Sequence, residues 1–113
     1  MPTLAEPANL ILMMADDLGY NDLSCYGSER QKTPVLDKLA KEGLRLTSFY
    51  AGATVCTPSR MALLTGAYPP RLGWNGGVVG YGLKPQNGLA PQARTMGDVF
   101  KEAGYKTALI GKW

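Results

Sequence analysis

The sequence predicts an α/β fold with a mainly parallel sheet. Three observations predict it. Residues 10–15 are continuously apolar, a helical pattern follows Thr33-Pro34, and a segment of alternating character over 44–50 comes directly after that helix. A strand covered on both faces reads as an unbroken apolar run, whereas a strand with one wet face alternates. A strand, a helix and a strand in succession form the opening unit of a parallel sheet.

Each element has its own signals. Asp16 and Asp17 stand at the carboxyl end of the first apolar run, where ligand sites of open α/β sheets lie. Residues 19–27 read as loop. Thr33 and Pro34 pair a capping residue with proline at the first helical position, and Val35, Leu36, Leu39 and Ala40 recur at helical spacing until Gly43. After Cys56, the stretch 58–65 carries Met61, Leu63 and Leu64 and meets Gly66, so a short helix is expected just beyond the cysteine. Residues 68–92 are dense in glycine and proline and predict a long irregular loop; Trp74 within it either lines a pocket or fills the loop. Thr95 and Asp98 have the spacing of a capping box, opening a helix that Gly104 stops, and 106–110 enters a third strand.

The bulk composition narrows the function classes. Hydrophobic residues are 45% and charged residues 19% of the chain, which is globular and excludes a disordered or fibrous chain. The net charge is +3, with the twelve Lys and Arg scattered; no basic run of the kind that holds a nucleic-acid backbone is present, so no nucleic-acid partner is expected. Two cysteines, Cys25 and Cys56, are too few for a disulfide framework, and Cys25 is expected to be structural packing. The run at 8–15 lacks a basic segment before it and is followed at once by two aspartates, so it reads as a buried strand and not as a signal peptide. No segment approaches the roughly twenty apolar residues that span a bilayer, and a soluble protein is expected.

The segment Cys56-Thr57-Pro58-Ser59-Arg60-Met61-Ala62-Leu63-Leu64-Thr65-Gly66 resembles the sulfatase signature, C-x-P-S-R followed by an apolar helix and Thr-Gly. The resemblance implies that a maturation enzyme oxidises Cys56 to formylglycine, whose hydrated aldehyde is the nucleophile. A sulfated serine would be a stable alkyl sulfate, whereas a sulfated gem-diol releases sulfate by collapsing to the aldehyde. A helix start next to the nucleophile offers N–H groups and a positive dipole end to an anion, and Arg60 adds a fork-shaped cation.

The resemblance extends over nearly the whole chain. Met14-Ala15-Asp16-Asp17-Leu18-Gly19-Tyr20 is similar to the family segment whose paired aspartates bind a divalent cation, commonly Ca²⁺ with Mg²⁺ as the other fit to hard carboxylate oxygens. It implies a metal centre of Asp16, Asp17 and the converted Cys56, with Lys112 of Gly111-Lys112-Trp113 contacting the sulfate and the formylglycine. It further implies the alkaline-phosphatase-like fold, with residues 1–113 as the N-terminal portion of the sulfatase catalytic domain, acting on a sulfated small molecule or sulfated glycan. Two departures stand out. Ala67 occupies the position after Thr-Gly where many members carry arginine, and the chain has no histidine, although the family's histidine acid, a second lysine and further Asp/Asn ligands come later. The 113 residues alone are therefore not expected to turn over substrate.

The expected function is sulfuric ester hydrolysis of the arylsulfatase-like kind. Two alternatives stand beside it: a phosphonate or phosphate monoester hydrolase of the same superfamily, since both esters present tetrahedral anions, and a non-catalytic metal-binding fragment.

Overall fold

The computed structural model describes residues 8–79 and 88–113. The chain divides into two compact units, Met1–Leu44 and Arg45–Trp113. Part of the loop expected over 68–92, residues 80–87, lies outside the described residues.

The first unit carries α1, Pro34–Glu42, and two short 3₁₀ turns, Tyr20–Asp22 and Ser24–Tyr26. α1 begins at the expected proline and ends before Gly43, whose N–H donates to the Leu39 carbonyl at 2.9 Å. Its N-cap differs from expectation: the Thr33 hydroxyl makes no capping bond to the helix backbone and donates instead to Asp37 Oδ1 at 3.0 Å. The Ser24 hydroxyl donates to the other carboxylate oxygen, Oδ2, at 2.6 Å. Each hydroxyl also accepts the other residue's backbone N–H, Ser24 N to Thr33 Oγ1 at 3.0 Å and Thr33 N to Ser24 Oγ at 2.9 Å. This reciprocal clamp fastens the Ser24–Tyr26 turn to the start of α1 in polar contacts, and α1 itself buries no residue.

The second unit carries α2, Cys56–Thr65, a 3₁₀ turn at Pro69–Leu72, and α3, Met96–Glu102. α2 holds the core: Pro58, Ser59, Arg60 and Met61 are buried within it, and Trp74 is buried in the loop that follows. The turn 51–55 packs so closely on α2 that a Cβ at Gly52 would sit 2.4 Å from the Cβ of Ala62. α3 has the expected capping box, Thr95 and Asp98 serving each other's backbone N–H. At its other end Gly104, at φ +88°, turns left-handed; Gly104 N donates to Lys101 O and Tyr105 N to Phe100 O, both at 3.0 Å. That pair of bonds is the Schellman arrangement, completed by an edge-on contact of the Phe100 and Tyr105 rings at 5.2 Å.

The strands expected at 10–15, 44–50 and 106–110 do not form: among the described residues there are helices and turns and no strand ladder. The apolar residues of all three segments face solvent, Ile11, Leu44 and Ile110 among them. The physical reason is that a helix closes its hydrogen bonds within itself, while a strand's N–H and C=O groups pair only with another strand, and its apolar faces need layers to cover them.

Candidate active site

Cys56 is the first residue of α2, after an extended Val55 at the N-cap. The sequence predicts a helix starting after the cysteine; it starts on it. Pro58 explains why, because a proline within the first turn sacrifices only an N–H that has no intrahelical acceptor. Ser59 is the first residue to donate back along the helix, to the Val55 carbonyl at 3.1 Å. The N–H groups of Cys56 and Thr57 therefore precede the ladder and point out of the helix start. Arg60 follows Cys56 by four positions, on the same helix face.

Arg60 is only 7% exposed. A buried guanidinium needs partners, and one of its terminal nitrogens donates to the backbone carbonyl of Lys112 at 2.7 Å, across 52 positions of sequence. Arg60 and Lys112, predicted separately, are thus brought together, Arg60 to the lysine's peptide group while the lysine residue remains exposed. The Thr-Gly end of the motif has its own structural task. Thr65 Oγ1 donates to the Met61 carbonyl at 2.7 Å and accepts the Ala67 N–H at 3.3 Å, while Gly66, at φ +67°, donates to Ala62 O. Both cysteines are free thiols and partly buried, so no Cys25–Cys56 bridge competes with chemistry at Cys56.

Asp16 and Asp17 belong to the first unit and are exposed. Asp17 adopts φ +54°, the one described non-glycine residue with positive φ; aspartate tolerates this left-handed conformation better than most residues, and such backbone clusters at functional sites. As a donor set, two adjacent carboxylates suit Ca²⁺ or Mg²⁺ but supply only part of the six to eight oxygens that Ca²⁺ takes. Cys56 in its thiol form offers a soft sulfur that does not match such an ion. Among the described residues, no group of three or more His, Cys, Asp or Glu side chains gathers to hold a metal.

Two features escaped the sequence. Thr57, next to Cys56, accepts the backbone N–H of Val79 at 3.2 Å; nothing in the spacing announces a bond between a helix and a loop 22 positions away. The Ser24–Thr33–Asp37 network is the other, and only the pairing of Thr33 and Asp37 at helical spacing hinted at it. Trp74, for which two roles were open, fills its loop: it is 5% exposed and its indole N–H donates to Gly76 O at 2.8 Å.

The amino-acid sequence is matched in known proteins. The model of the sulfatase family matches residues 8–113. The steryl-sulfatase of Mus musculus is 54% identical over 111 residues, covering 96% of this chain and 18% of the relative. Human arylsulfatase A is 48% identical over 112 residues, 97% of this chain and 21% of the relative, and the arylsulfatase of Hemicentrotus pulcherrimus is 43% identical over 110 residues, 97% and 20%. The chain thus spans about a fifth of the length of these curated relatives. With the family model covering Asp16, Asp17, Cys56, Arg60 and Lys112 alike, the chain belongs to the sulfatase family.

Proposed function

We propose that this chain contributes the nucleophile's half of a sulfuric ester hydrolase. The observation that carries the reading is Cys56 at the first position of α2, with Arg60 one turn on and bonded to the Lys112 peptide, in a chain that matches the sulfatase family almost throughout. Converted to formylglycine by a maturation enzyme, Cys56 supplies a hydrated aldehyde: one hydroxyl accepts the sulfuryl group, and the other loses its proton as the bond to sulfate breaks and the aldehyde reforms. Asp16, Asp17 and the oxygens of the converted Cys56 would hold a divalent cation, Ca²⁺ or Mg²⁺, which when bound would supply positive charge for a sulfate ester.

The chain's own residues have distinct parts. The outward N–H group of Cys56 and the positive end of α2 favour a tetrahedral anion at the cysteine. Arg60, buried and permanently charged, raises the local positive potential and holds the backbone of Lys112, whose ammonium then binds sulfate from the exposed side. The leaving alcohol needs a proton from a general acid; these 113 residues include no histidine, so turnover requires an acid supplied from outside them. The relatives' names, steryl-sulfatase and arylsulfatase, favour an aromatic or sterol sulfate as substrate. Among the described residues no helix is long and apolar enough to cross a membrane. The proposed fold is the α/β alkaline-phosphatase-like one, with 10–15, 44–50 and 106–110 pairing as strands once the remaining layers of a chain of the relatives' length cover them.

The test is to express such a full-length chain with the maturation enzyme, follow the Cys56 peptide by mass spectrometry, and assay 4-nitrophenyl sulfate against phenyl phosphonate. The expected result is conversion of Cys56, preference for the sulfate, and a loss on the order of a thousandfold or more in kcat for Cys56→Ala, the scale of removing a nucleophile. A larger kcat/KM on the phosphonate makes the enzyme a phosphonate hydrolase; an unconverted thiol in every preparation leaves a metal-binding remnant.

A further inference from the structure

The loop after α2 is fastened at defined points, and those points fall beside the candidate catalytic residues. Trp74 anchors it by burial and by its indole bond to Gly76 O. Val79 N then donates to Thr57 Oγ1, on the residue that follows Cys56. On the far side of 80–87, Gly88 lies against the indole of Trp113, the residue that follows Lys112: a Cβ at Gly88 would be 4.0 Å from that ring. Both described flanks of 80–87 thus adjoin the sequence neighbour of a candidate catalytic residue. Residues 74–79 run from a buried tryptophan to a hydrogen bond on the nucleophile's own turn.

From this we infer that Thr57 is a positioning residue: its hydroxyl holds 77–79 against the first turn of α2, where Val79, 44% exposed, presents an apolar side chain to the organic part of the ester. The inference rests on the proposed sulfatase reading and adds a specificity wall to it. Thr57 sits at the variable position of the C-x-P-S-R pattern, so the chemistry of the motif does not itself require a hydroxyl there. The tether does. It acts on the leaving-group side and leaves the sulfate-binding groups, the Cys56 turn, Arg60 and Lys112, unaltered.

The test uses the full-length mature enzyme, with rates normalised to the fraction of Cys56 converted. Thr57→Val keeps the shape and removes the hydroxyl. It is expected to raise KM for 4-nitrophenyl sulfate about three- to tenfold, the value of one lost hydrogen bond, with kcat held within about twofold. The inhibition constant of inorganic sulfate, which lacks an organic part, stays unchanged, and the Val79 amide exchanges faster with solvent. Thr57→Ser restores KM and the slow exchange. Unchanged Val79 exchange in Thr57→Val overturns the tether; faster exchange with unchanged KM overturns the wall. A parallel rise in KM and in the sulfate inhibition constant also overturns it, since Thr57 would then act on the anion site. A converted wild-type enzyme inactive on sulfate esters sinks the sulfatase reading itself, a failure that the exchange measurement keeps distinct from a failure of the tether.

Discussion

Along α2, Met61 is 1% exposed, four consecutive residues are buried, and the C-terminal end is closed by the bond from Gly66 N to Ala62 O. Along 10–14, which leads to the aspartate pair, every side chain from Leu10 to Met13 is more than half exposed, Ile11 reaching 81%. Residues 10–14 are apolar throughout and α2 only by half, yet it is the second that is buried, and each segment adjoins or contains residues of the candidate site. What separates them is where their backbone groups find partners. Ten helical residues with an extended cap before them and a left-handed glycine after them are complete in themselves, and a turn packed on Ala62 with a buried tryptophan nearby suffices as a core. An apolar strand is complete only in the company of other strands and of layers on both faces. The nucleophile's turn is therefore built largely by local sequence, whereas the strand proposed before the aspartate pair depends on partners elsewhere in a longer chain.

The largest effect expected from this contrast is a split between two apolar truncations. Met61→Ala should cost about 2–5 kcal/mol, as removing a buried side chain does, and Ile11→Ala in this chain should fall within about 0.5 kcal/mol of zero, as surface changes do. Urea unfolding of the second unit, followed through Trp74 fluorescence, reads the first; amide exchange over 10–15 reads the second. In a chain of the relatives' length the contrast should vanish, with Ile11→Ala rising to about 2–4 kcal/mol as the strand becomes covered. A near-neutral Ile11→Ala there would refute the proposed sheet.

A smaller effect probes how tightly the nucleophile's helix is fitted. Gly52→Ala places a methyl 2.4 Å from the Ala62 Cβ, and overpacking of that kind costs about 1–3 kcal/mol. Ala62→Gly in the same chain relieves the clash, so the double variant should recover part of the loss; no recovery in the unfolding midpoint would mean that Gly52 serves its backbone conformation and not the contact. Arg60→Lys should be of similar size, about 1–3 kcal/mol, because the change leaves the buried Lys112 contact without the guanidinium's donor; unfolding and the exchange of amides near Lys112 would both register it.

How much is legible in the amino acids follows the same division. The three helices are legible because their signals are local: Pro34 at a first position, the Thr95–Asp98 capping box, Gly66 and Gly104 after the last turns. The start of α2 is less so, since Pro58 has the look of a boundary and is in fact a tolerated first-turn residue. The motif residues Asp16, Asp17, Cys56, Arg60 and Lys112 are legible as a pattern, and the pattern tells nothing of Arg60's bond to a backbone carbonyl or of Thr57's to Val79. Those bonds join positions 52 and 22 apart, and spacing rules reach only a turn or two along a helix or across a hairpin. The expected strands rest on apolar runs that are real but need partners to become a sheet.

The smallest effect lies at the polar clamps, where solvent screens the charges. Asp37 is held below its ordinary value of 3.8, chiefly by the Ser24 hydroxyl and further by the Thr33 hydroxyl and by bonds from Cys25, against some opposing desolvation. Asp98 is lowered likewise, chiefly by the Thr95 backbone N–H and then by its hydroxyl. A carboxylate depressed in the folded state contributes stability that is fully present above its ordinary value and is lost as pH falls through the depressed one. The contributions of these two carboxylates should therefore be fully present near neutrality and be lost in acid, below 3.8. The two clamps are separable by variant. Asp37→Asn should flatten the acid limb for the first unit and leave that of α3 in place, and Ser24→Ala should bring the Asp37 titration, followed by carboxyl NMR, back toward its ordinary value. An Asp37 titration unmoved by Ser24→Ala would show that the clamp binds the turn to α1 through its backbone N–H bonds alone.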